Sequence, residues 1–385
     1  DLNVLEIVKS NFDNVSVRKS SNFTYTLKIN CNVSPRGIWK YEKHPHLLAG
    51  NSFNTFYPIC ILSFGRYNDN GRTHKLLTKL QIKHSLYVEP FEYELYKEWY
   101  DPKHCNLVKA PEDFHLKNMG STPMRNYILD DNEYSNRIWL LDDNIKCYKR
   151  LFKGVKNTIE SPEIFTSIEE YINRYDNVGI VSHNFNPFVV EGGCRSIMCK
   201  NGKCYSSMLV PTDPEIRFKH KHQEDNFISI EYINKGYTNL CFNHIIYDKN
   251  TSGDDGGGNT KHIYKKDEED IGRKERYDYS FKTAETLINS GEIKLKKDTS
   301  LENFVFHKPL KHEHYHVEFN YQVLENYDKN DIILKDKHTW IEERPDSLYL
   351  DTNETEEINV IKDDERTKLM KLTKEELVDL ILNKN

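Results

Sequence analysis

Short apolar runs alternate with amphipathic segments through the middle of the chain. Residues 58–63 and 85–88 are apolar runs of strand length, and residues 73–80 between them place three leucines on one face of a short helix. Residues 91–100 predict a second helix. Because strands that alternate with helices are typical of βαβ units, we expect an α/β fold with a mostly parallel central sheet.

The same alternation continues towards the C terminus. Further buried strands are predicted at three places: residues 138–141, 177–181 and 204–210. A helix is predicted at residues 224–234, and Gly236 is placed to end it. Residues 251–269 are rich in glycine and then charged, which predicts a loop.

The two ends of the chain carry less information about chemistry. Residues 23–29 alternate like a strand, and Thr373 with Glu376 forms a capping box before an amphipathic helix. We therefore expect an N-terminal extension at residues 1–55 and a C-terminal extension at residues 326–385 that ends in this helix.

The most informative feature is an acidic triplet at the end of a predicted strand. Four apolar residues, 138–141, lead directly into Asp142, Asp143 and Asn144. Ligands of open α/β sheets bind at the carboxyl ends of strands, and hard divalent cations prefer oxygen ligands. The triplet predicts a site for a metal and a nucleotide diphosphate, although an acidic turn would explain the residues equally well.

Other polar residues also follow predicted elements. Arg66 comes after the first strand and could hold a phosphate, whereas Glu89 after the second could bind a base or ribose or cap the next helix. Glu224 and Asp225 begin a helix, where the helix dipole favours carboxylates, and either could be a general base. The glycines of residues 253–259 could cradle phosphate or simply be flexible.

Composition narrows the class of protein. The net charge of −6 argues against a protein that coats nucleic acid by bulk attraction. Lys149, Arg150 and Lys153 could contact a phosphate backbone, although a solvated helix face is the simpler interpretation. Eight scattered cysteines suit a reducing, intracellular compartment, and no apolar run is long enough to cross a membrane.

Three alternating histidines, His312, His314 and His316, share one face of a predicted strand. These histidines could bind a metal, or they could simply face the solvent. Cys194, Cys199 and Cys204 are too widely spaced for a close zinc pair. No GxxxxGK[ST] motif is present, which argues against a P-loop nucleotidase.

The order of these clusters resembles the TET-associated glycosyltransferase family, which includes the base J glucosyltransferase and related phage and large-virus enzymes. The resemblance covers roughly residues 56–321. It is carried by seven short motifs in order: residues 63–66, 86–93, 124–126, 139–144, 222–225, 256–259 and 314–319.

The resemblance implies a Rossmann-like GT-A domain at residues 56–325 and assigns roles by position. Asp225 would be the general base, with Glu224 second. Asp143, Asn144 and His316 would bind Mn²⁺ or Mg²⁺, with His314 as the alternative histidine. The nucleotide sugar would be bound by seven residues: Arg66, Glu89, Arg125, Asn126, Asp142, Gly257 and Gly258. Many relatives have Asp where this chain has Asn144 and where it has Glu318, and the first difference predicts weaker metal binding.

The function implied is a metal-dependent, inverting transfer of a sugar, with UDP-glucose favoured as donor. The acceptor implied is a hydroxymethylated pyrimidine in DNA. The protein is expected to be intracellular, to be of viral or phage type and to have no membrane partner. One alternative is that the acceptor is a protein or a glycan. A second is an inactive scaffold that keeps the fold, and a third is a nuclease.

Overall fold

The computed structural model describes residues 15–20, 24–29, 39–43, 55–67, 72–152, 155–190, 196, 198–250, 269–307 and 317–335. The chain divides into two units, residues 1–342 and 343–385, and the second lies wholly outside the described residues. The predicted helix after Thr373 is in that second unit. Within the described residues, no helix combines the length and apolar character needed to cross a membrane.

Seventeen strands are described. They are β1 (Val15–Ser20), β2 (Thr24–Ile29), β3 (Trp39–Lys43), β4 (Ile59–Ser63), β5 (His84–Val88), β6 (Cys105–Lys109), β7 (Arg137–Asp142), β8 (Ile145–Phe152), β9 (Val155–Ile159), β10 (Tyr175–Asp176), β11 (Val178–Phe185), β12 (Met198–Lys200), β13 (Ser207–Pro211), β14 (Thr238–Lys249), β15 (Val305–His307), β16 (Val317–Phe319) and β17 (Ile333–Leu334).

The described helices connect and cover these strands. They are α1 (Arg72–Lys79), α2 (Tyr93–Lys97), α3 (Thr122–Asp131), α4 (Glu163–Ile172), α5 (Glu224–Asn234), α6 (Glu269–Asn289) and α7 (Leu301–Phe304). The backbone of Gly236 has φ +94° and its N–H bonds to the carbonyl of Ile233, so this glycine ends α5 as the sequence predicts.

The central sheet has the order β6-β5-β4-β7-β13-β11-β14-β8-β9, with β12 added beside β14. Strands β6, β5, β4 and β7 run parallel, as do β11 and β14, and the remaining neighbours are antiparallel. The α/β prediction is therefore confirmed. The sheet is mixed, and its parallel half contains the strands that the sequence predicts most clearly.

The core consists of a layer on each face of this sheet. Ile59 and Ile61 of β4 pack in one layer, whereas Cys60 between them packs in the other. This alternation is the period-two pattern of a strand that is buried on both faces. A third cluster, which includes Phe227, Phe304 and Phe319, joins α5 to the chain around α7 and β16.

Outside the central sheet, small sheets involve the segments near both ends of the described chain. Strands β1, β2 and β3 form an antiparallel sheet, and β2 includes most of the strand predicted at residues 23–29. Strand β17 pairs with β10, although its residues lie in the predicted C-terminal extension.

Candidate active site

The parallel strands bring those predicted site residues that follow β4, β5 and β7 to one edge of the sheet. In the register of β4 and β7, Leu62 lies opposite Asp142, and in that of β4 and β5, Ser63 lies opposite Val88. The residues that directly follow these strands therefore share the carboxyl edge, where ligands of such sheets bind.

The start of α1 holds the backbone of the acidic triplet. The hydroxyl of Thr73 donates to the carbonyl of Asp142 at 2.6 Å and accepts from the N–H of Ile145 at 2.9 Å. The N–H of Thr73 also donates to the carbonyl of Asp143 at 3.2 Å. One threonine thus fixes both sides of the turn between β7 and β8. No motif in the sequence singles out this residue.

Asp142 lies between two cations. Its Oδ1 accepts from Arg125 at 3.1 Å, and its Oδ2 accepts from Lys249 at 2.9 Å. Lys249 also donates to the hydroxyl of Ser206 at 2.6 Å. Burial acts to raise the pKa of Asp142, but the charges of Lys249 and Arg125 outweigh it and hold the pKa well below its usual range. Asp142 is therefore ionised, and its negative charge is balanced by the two neighbouring cations.

Asp143 has a different environment. Its Oδ1 lies 2.8 Å from Nε of Arg66, and its Oδ2 accepts from the hydroxyl of Ser63 at 2.7 Å. Burial raises the pKa of Asp143 to about 6, against the opposing charge of Arg66. The structure thus brings together two residues that the sequence predicts at different strand ends.

Asn144 has an available oxygen. Its Oδ1 is buried and has no hydrogen-bond partner. A buried acceptor without a partner is uncommon in a folded protein, and a hard cation would satisfy it. The carboxylate of Asp143 has about four lone-pair sites, and Ser63, Arg66 and the backbone N–H of Phe64 engage three of them. These two donors fit a divalent cation, which would share Asp143 with Arg66. The predicted third ligand, His316, lies outside the described residues, as do Gly257 and Gly258.

Arg125 links the triplet to the start of α5. Its Nε donates to the hydroxyl of Ser121 at 3.1 Å and lies 3.7 Å from Glu224, and Ser121 donates to Glu224 at 2.6 Å. The guanidinium also lies over the ring of Phe218, 5.4 Å from its centroid. A single side chain therefore contacts Asp142 on one side and Glu224 on the other.

Asp225 has a carboxyl group with a raised pKa. Burial and the neighbouring charge of Glu224 raise the pKa of Asp225 well above its usual range, while Arg125 and Arg276 oppose the shift. A carboxylate with a raised pKa accepts a proton more readily near neutral pH. The N–H of Asn226 donates to its Oδ1 at 2.9 Å. The paired carboxylates of the predicted base are thus adjacent to the Arg125 bridge.

His222 lies just before this pair and is a buried polar group without a partner. Both of its ring nitrogens are buried and form no hydrogen bond. Burial, with the charges of Arg276 and Lys221, lowers the pKa of His222 to about 4, so the ring is neutral. The sequence placed this residue in a motif but gave it no role.

Asn126 has a supporting position. Its amide donates to the carbonyl of Phe218 at 2.8 Å and accepts from the N–H of the same residue at 2.9 Å. Both polar groups of its side chain are therefore engaged with the backbone beneath the ring that Arg125 covers.

Glu89 lies in a second polar cluster at the same edge. It accepts from the backbone N–H of His115 at 3.0 Å, and burial raises its pKa. It occupies the N-cap position of the short helix Pro90–Glu92 without forming a capping bond. Donor atoms of Glu89, Asp113 and His115 lie within 4.8 Å of one another. Nearby, both carboxylate oxygens of Glu92 accept from the N–H of Gly65, at 2.9 and 3.0 Å.

Comparison with known proteins shows a similarity to a family. A model of the TET-associated glycosyltransferase family matches residues 57–258, just over half of the chain. The acidic triplet, its described partners and the pair Glu224 and Asp225 all lie within this interval. No curated protein matches the chain.

Proposed function

The chain belongs to the TET-associated glycosyltransferase family, and we propose that it transfers glucose from UDP-glucose to the hydroxymethyl group of a modified pyrimidine in DNA. That the protein is a glycosyltransferase follows from the family. The donor, the acceptor, the metal and the stereochemistry are the parts that we propose.

The observation that carries the proposal is the bridge from Asp142 through Arg125 to Glu224. It joins the strand edge where a donor would bind to the helix start that bears the candidate base. Negative charge develops on the leaving diphosphate during glycosyl transfer, and preorganised positive groups stabilise that charge. Arg66, Arg125 and Lys249 supply such groups around the triplet.

Asp225 would accept the proton of the attacking hydroxyl group. The oxygen of the acceptor then bonds to the anomeric carbon, and the bond to the diphosphate breaks on the opposite face. One carboxylate acting in this way supports inversion of configuration at the sugar. Glu224 helps because its charge keeps the pKa of Asp225 raised.

A divalent cation would be held by Asp143 and Asn144, with His316 as the proposed third ligand. It would supply further positive charge for the leaving diphosphate. Arg66, which contacts Asp143 at 2.8 Å, competes with the cation for that carboxylate. We therefore propose weak metal binding, as the substitution of Asn144 for aspartate also implies. Arg66, Glu89 and Asp142 are proposed to contact the nucleotide, together with Gly257 and Gly258.

The DNA acceptor rests on the family resemblance. The basic residues that the sequence offered for a phosphate backbone, Lys149 and Arg150, lie on β8 rather than on the expected helix face, because β8 pairs with β14 and β9. They form ion pairs with Asp248 and Glu163. They therefore add little support for DNA, and a protein or glycan acceptor is the alternative that the assay must separate.

The test is a transfer assay with a matched pair of oligonucleotides that differ only in one hydroxymethyluracil or thymine. UDP-glucose, UDP-GlcNAc, UDP-galactose and GDP-sugars are each offered with and without Mn²⁺, and products are read by mass spectrometry and NMR. We expect a β-linked glucose on the hydroxymethylated strand alone. Thermal stabilisation by UDP-glucose without transfer to DNA would overturn the acceptor, and stabilisation by no UDP-sugar would overturn the donor.

A further inference from the structure

A buried cluster of metal-ligand side chains lies away from the candidate active site. His74 of α1, His84 at the start of β5 and Cys105 at the start of β6 place donor atoms within 4.8 Å of one another. The three residues are 3%, 5% and 5% exposed. Imidazole nitrogen and thiolate sulfur are the ligands that zinc prefers.

The surroundings of His84 fix the tautomer of its ring, and this tautomer leaves one nitrogen able to bind a metal. Its Nδ1 lies 2.8 Å from the carbonyl of Ile82, which is an acceptor only, so this nitrogen carries the proton. The lone pair is therefore on Nε2, which lies 2.8 Å from Nδ1 of His74. Histidines that bind metals usually donate their second nitrogen to a carbonyl or carboxylate in this way.

The protonation states of the three side chains bear on whether they can bind a metal ion. Burial lowers the pKa of both His74 and His84 to about 4, so both rings are neutral and keep a lone pair. Burial raises the pKa of Cys105 to about 12 despite a hydrogen bond from the backbone of Leu86, so the side chain is a thiol until a metal displaces its proton. Hydrogen bonds to the sulfur are a common second layer around a bound metal.

The two strand residues of the cluster lie at the opposite edge of the sheet from the proposed transfer site, whereas His74 directly follows Thr73. His84 and Cys105 begin their strands, whereas Glu89 and the acidic triplet follow the carboxyl ends. Along β5, the distance from His84 to Val88 is about 13 Å at ordinary strand rise. The cluster also joins one helix and two strands that are not adjacent in sequence, so a bound ion would tie these elements together.

We propose that His74, His84 and Cys105 bind one structural Zn²⁺ ion, with water as the fourth ligand. Binding replaces the thiol proton of Cys105, which is released to solvent, and zinc bonds to the sulfur and to one nitrogen of each ring. Its role is to hold α1 against β5 and β6. Because His74 directly follows Thr73, which holds the backbone of the acidic triplet, loss of zinc would loosen that turn through the start of α1.

The first experiment measures metal in the full chain, purified without added metal. We expect about one zinc per chain by elemental analysis, and a fall in Tm of about 5 °C or more when a strong chelator removes it. Exchange with Co²⁺ should give the charge-transfer absorption of a thiolate ligand. Neither result depends on a variant that folds.

Variants then identify the ligands. Cys105→Ser should lose the cobalt–thiolate band and most of the zinc, and His84→Gln should lose most of the zinc. Cys60→Ser is the matched control, because Cys60 is another buried cysteine of the same sheet, on β4, two strands from β6, and it should retain both signals. Asp143→Asn should also retain the zinc, which separates this site from any ion at the triplet.

Two results would overturn the proposal. One is a purified chain that contains no zinc, gains no stability from added Zn²⁺ and shows no cobalt–thiolate band. The other is a Cys105→Ser chain that retains zinc at the wild-type level. In either case the cluster would be a hydrogen-bonded histidine pair beside a buried thiol.

Discussion

Thr73 and Thr78 lie on the same helix, α1, and differ in one respect that allows a sharp test. The hydroxyl of Thr73 bonds to the carbonyl of Asp142 and to the N–H of Ile145. The hydroxyl of Thr78 is buried and has no hydrogen-bond partner. Replacing either residue by valine keeps the shape of the side chain and removes only the hydroxyl group.

The expected costs follow from these contacts. Thr73→Val removes one hydrogen bond to a carbonyl and takes the side-chain acceptor from the N–H of Ile145, a residue that is fully buried. A lost hydrogen bond costs about 1 kcal/mol, and a buried donor left without a partner costs about 1–3 kcal/mol, so we expect a total of about 2–4 kcal/mol. Thr78→Val should be neutral or slightly stabilising, because it buries an apolar group in place of a hydroxyl without a partner.

Urea unfolding of both variants measures the free energy of unfolding, and the glucosyl transfer assay measures the consequence for the site. We expect Thr73→Val to lose transfer by more than its fraction unfolded explains, since the turn that carries Asp142 and Asp143 is no longer held. Equal stability of the two variants would refute the assigned role of Thr73. Full transfer by a destabilised Thr73→Val chain would refute its link to the triplet.

Three further predictions concern charged groups. Asp142→Ala and Asp225→Asn should both abolish transfer, but only the first should weaken donor binding in a thermal shift; equal weakening would remove Asp225 from the role of base. Lys249→Met should destabilise the protein by about 2–3 kcal/mol. This cost is smaller than that of leaving a buried charge with no partner, because Arg125 still contacts Asp142. An unchanged free energy of unfolding in urea would contradict this prediction. The pKa of Glu92 is raised from 4.5 to about 7, first by burial, so the folded state binds this proton more tightly than the unfolded state does. The stabilising contribution of Glu92 is complete below pH 4.5 and is lost as the pH rises through about 7. Glu92→Gln should reduce this loss of stability. Parallel pH profiles of the free energy of unfolding in urea for the two chains would exclude this role of Glu92.

The sequence predicts three of the four strands in the parallel half of the sheet, all but β6, because the information there is local. The apolar runs that became β4, β5 and β7 are buried on both faces, and each ends in polar residues at the carboxyl edge. Helix α5 was also predictable, since Gly236 ends it with a backbone angle that favours glycine. These elements are specified by residues a few positions apart.

The sequence could not identify the partners of the acidic triplet, because long-range pairing creates them. Lys249 is 107 residues from Asp142 and is the last residue of β14. A lysine at the end of a strand is an ordinary solvent-facing residue in any local interpretation. The antiparallel pairing of β14 with β8 places it beside the triplet. The same pairing explains why Lys149 and Arg150 are strand residues rather than part of a helix.

The cluster of His74, His84 and Cys105 gave no signal for a related reason. Zinc sites that sequence patterns reveal have ligands at close, regular spacing, whereas these three residues come from a helix and from the beginnings of two strands. Only the parallel register, in which His84 lies opposite Cys105, brings the strand residues together.

The opposite pKa shifts of Asp142 and Asp225 indicate how the site divides its chemistry. Two carboxyl groups whose environments push their pKa values apart take different roles. Asp142, with Lys249 and Arg125 beside it, stays ionised and cannot serve as a base of useful strength. Asp225, next to Glu224 and buried, holds a proton far more readily. Arg125 contacts both Asp142 and Glu224, so any donor that displaces it from Asp142 changes the charge beside the base. In the proposed mechanism, binding of the leaving group and activation of the acceptor would thereby be coupled through one side chain.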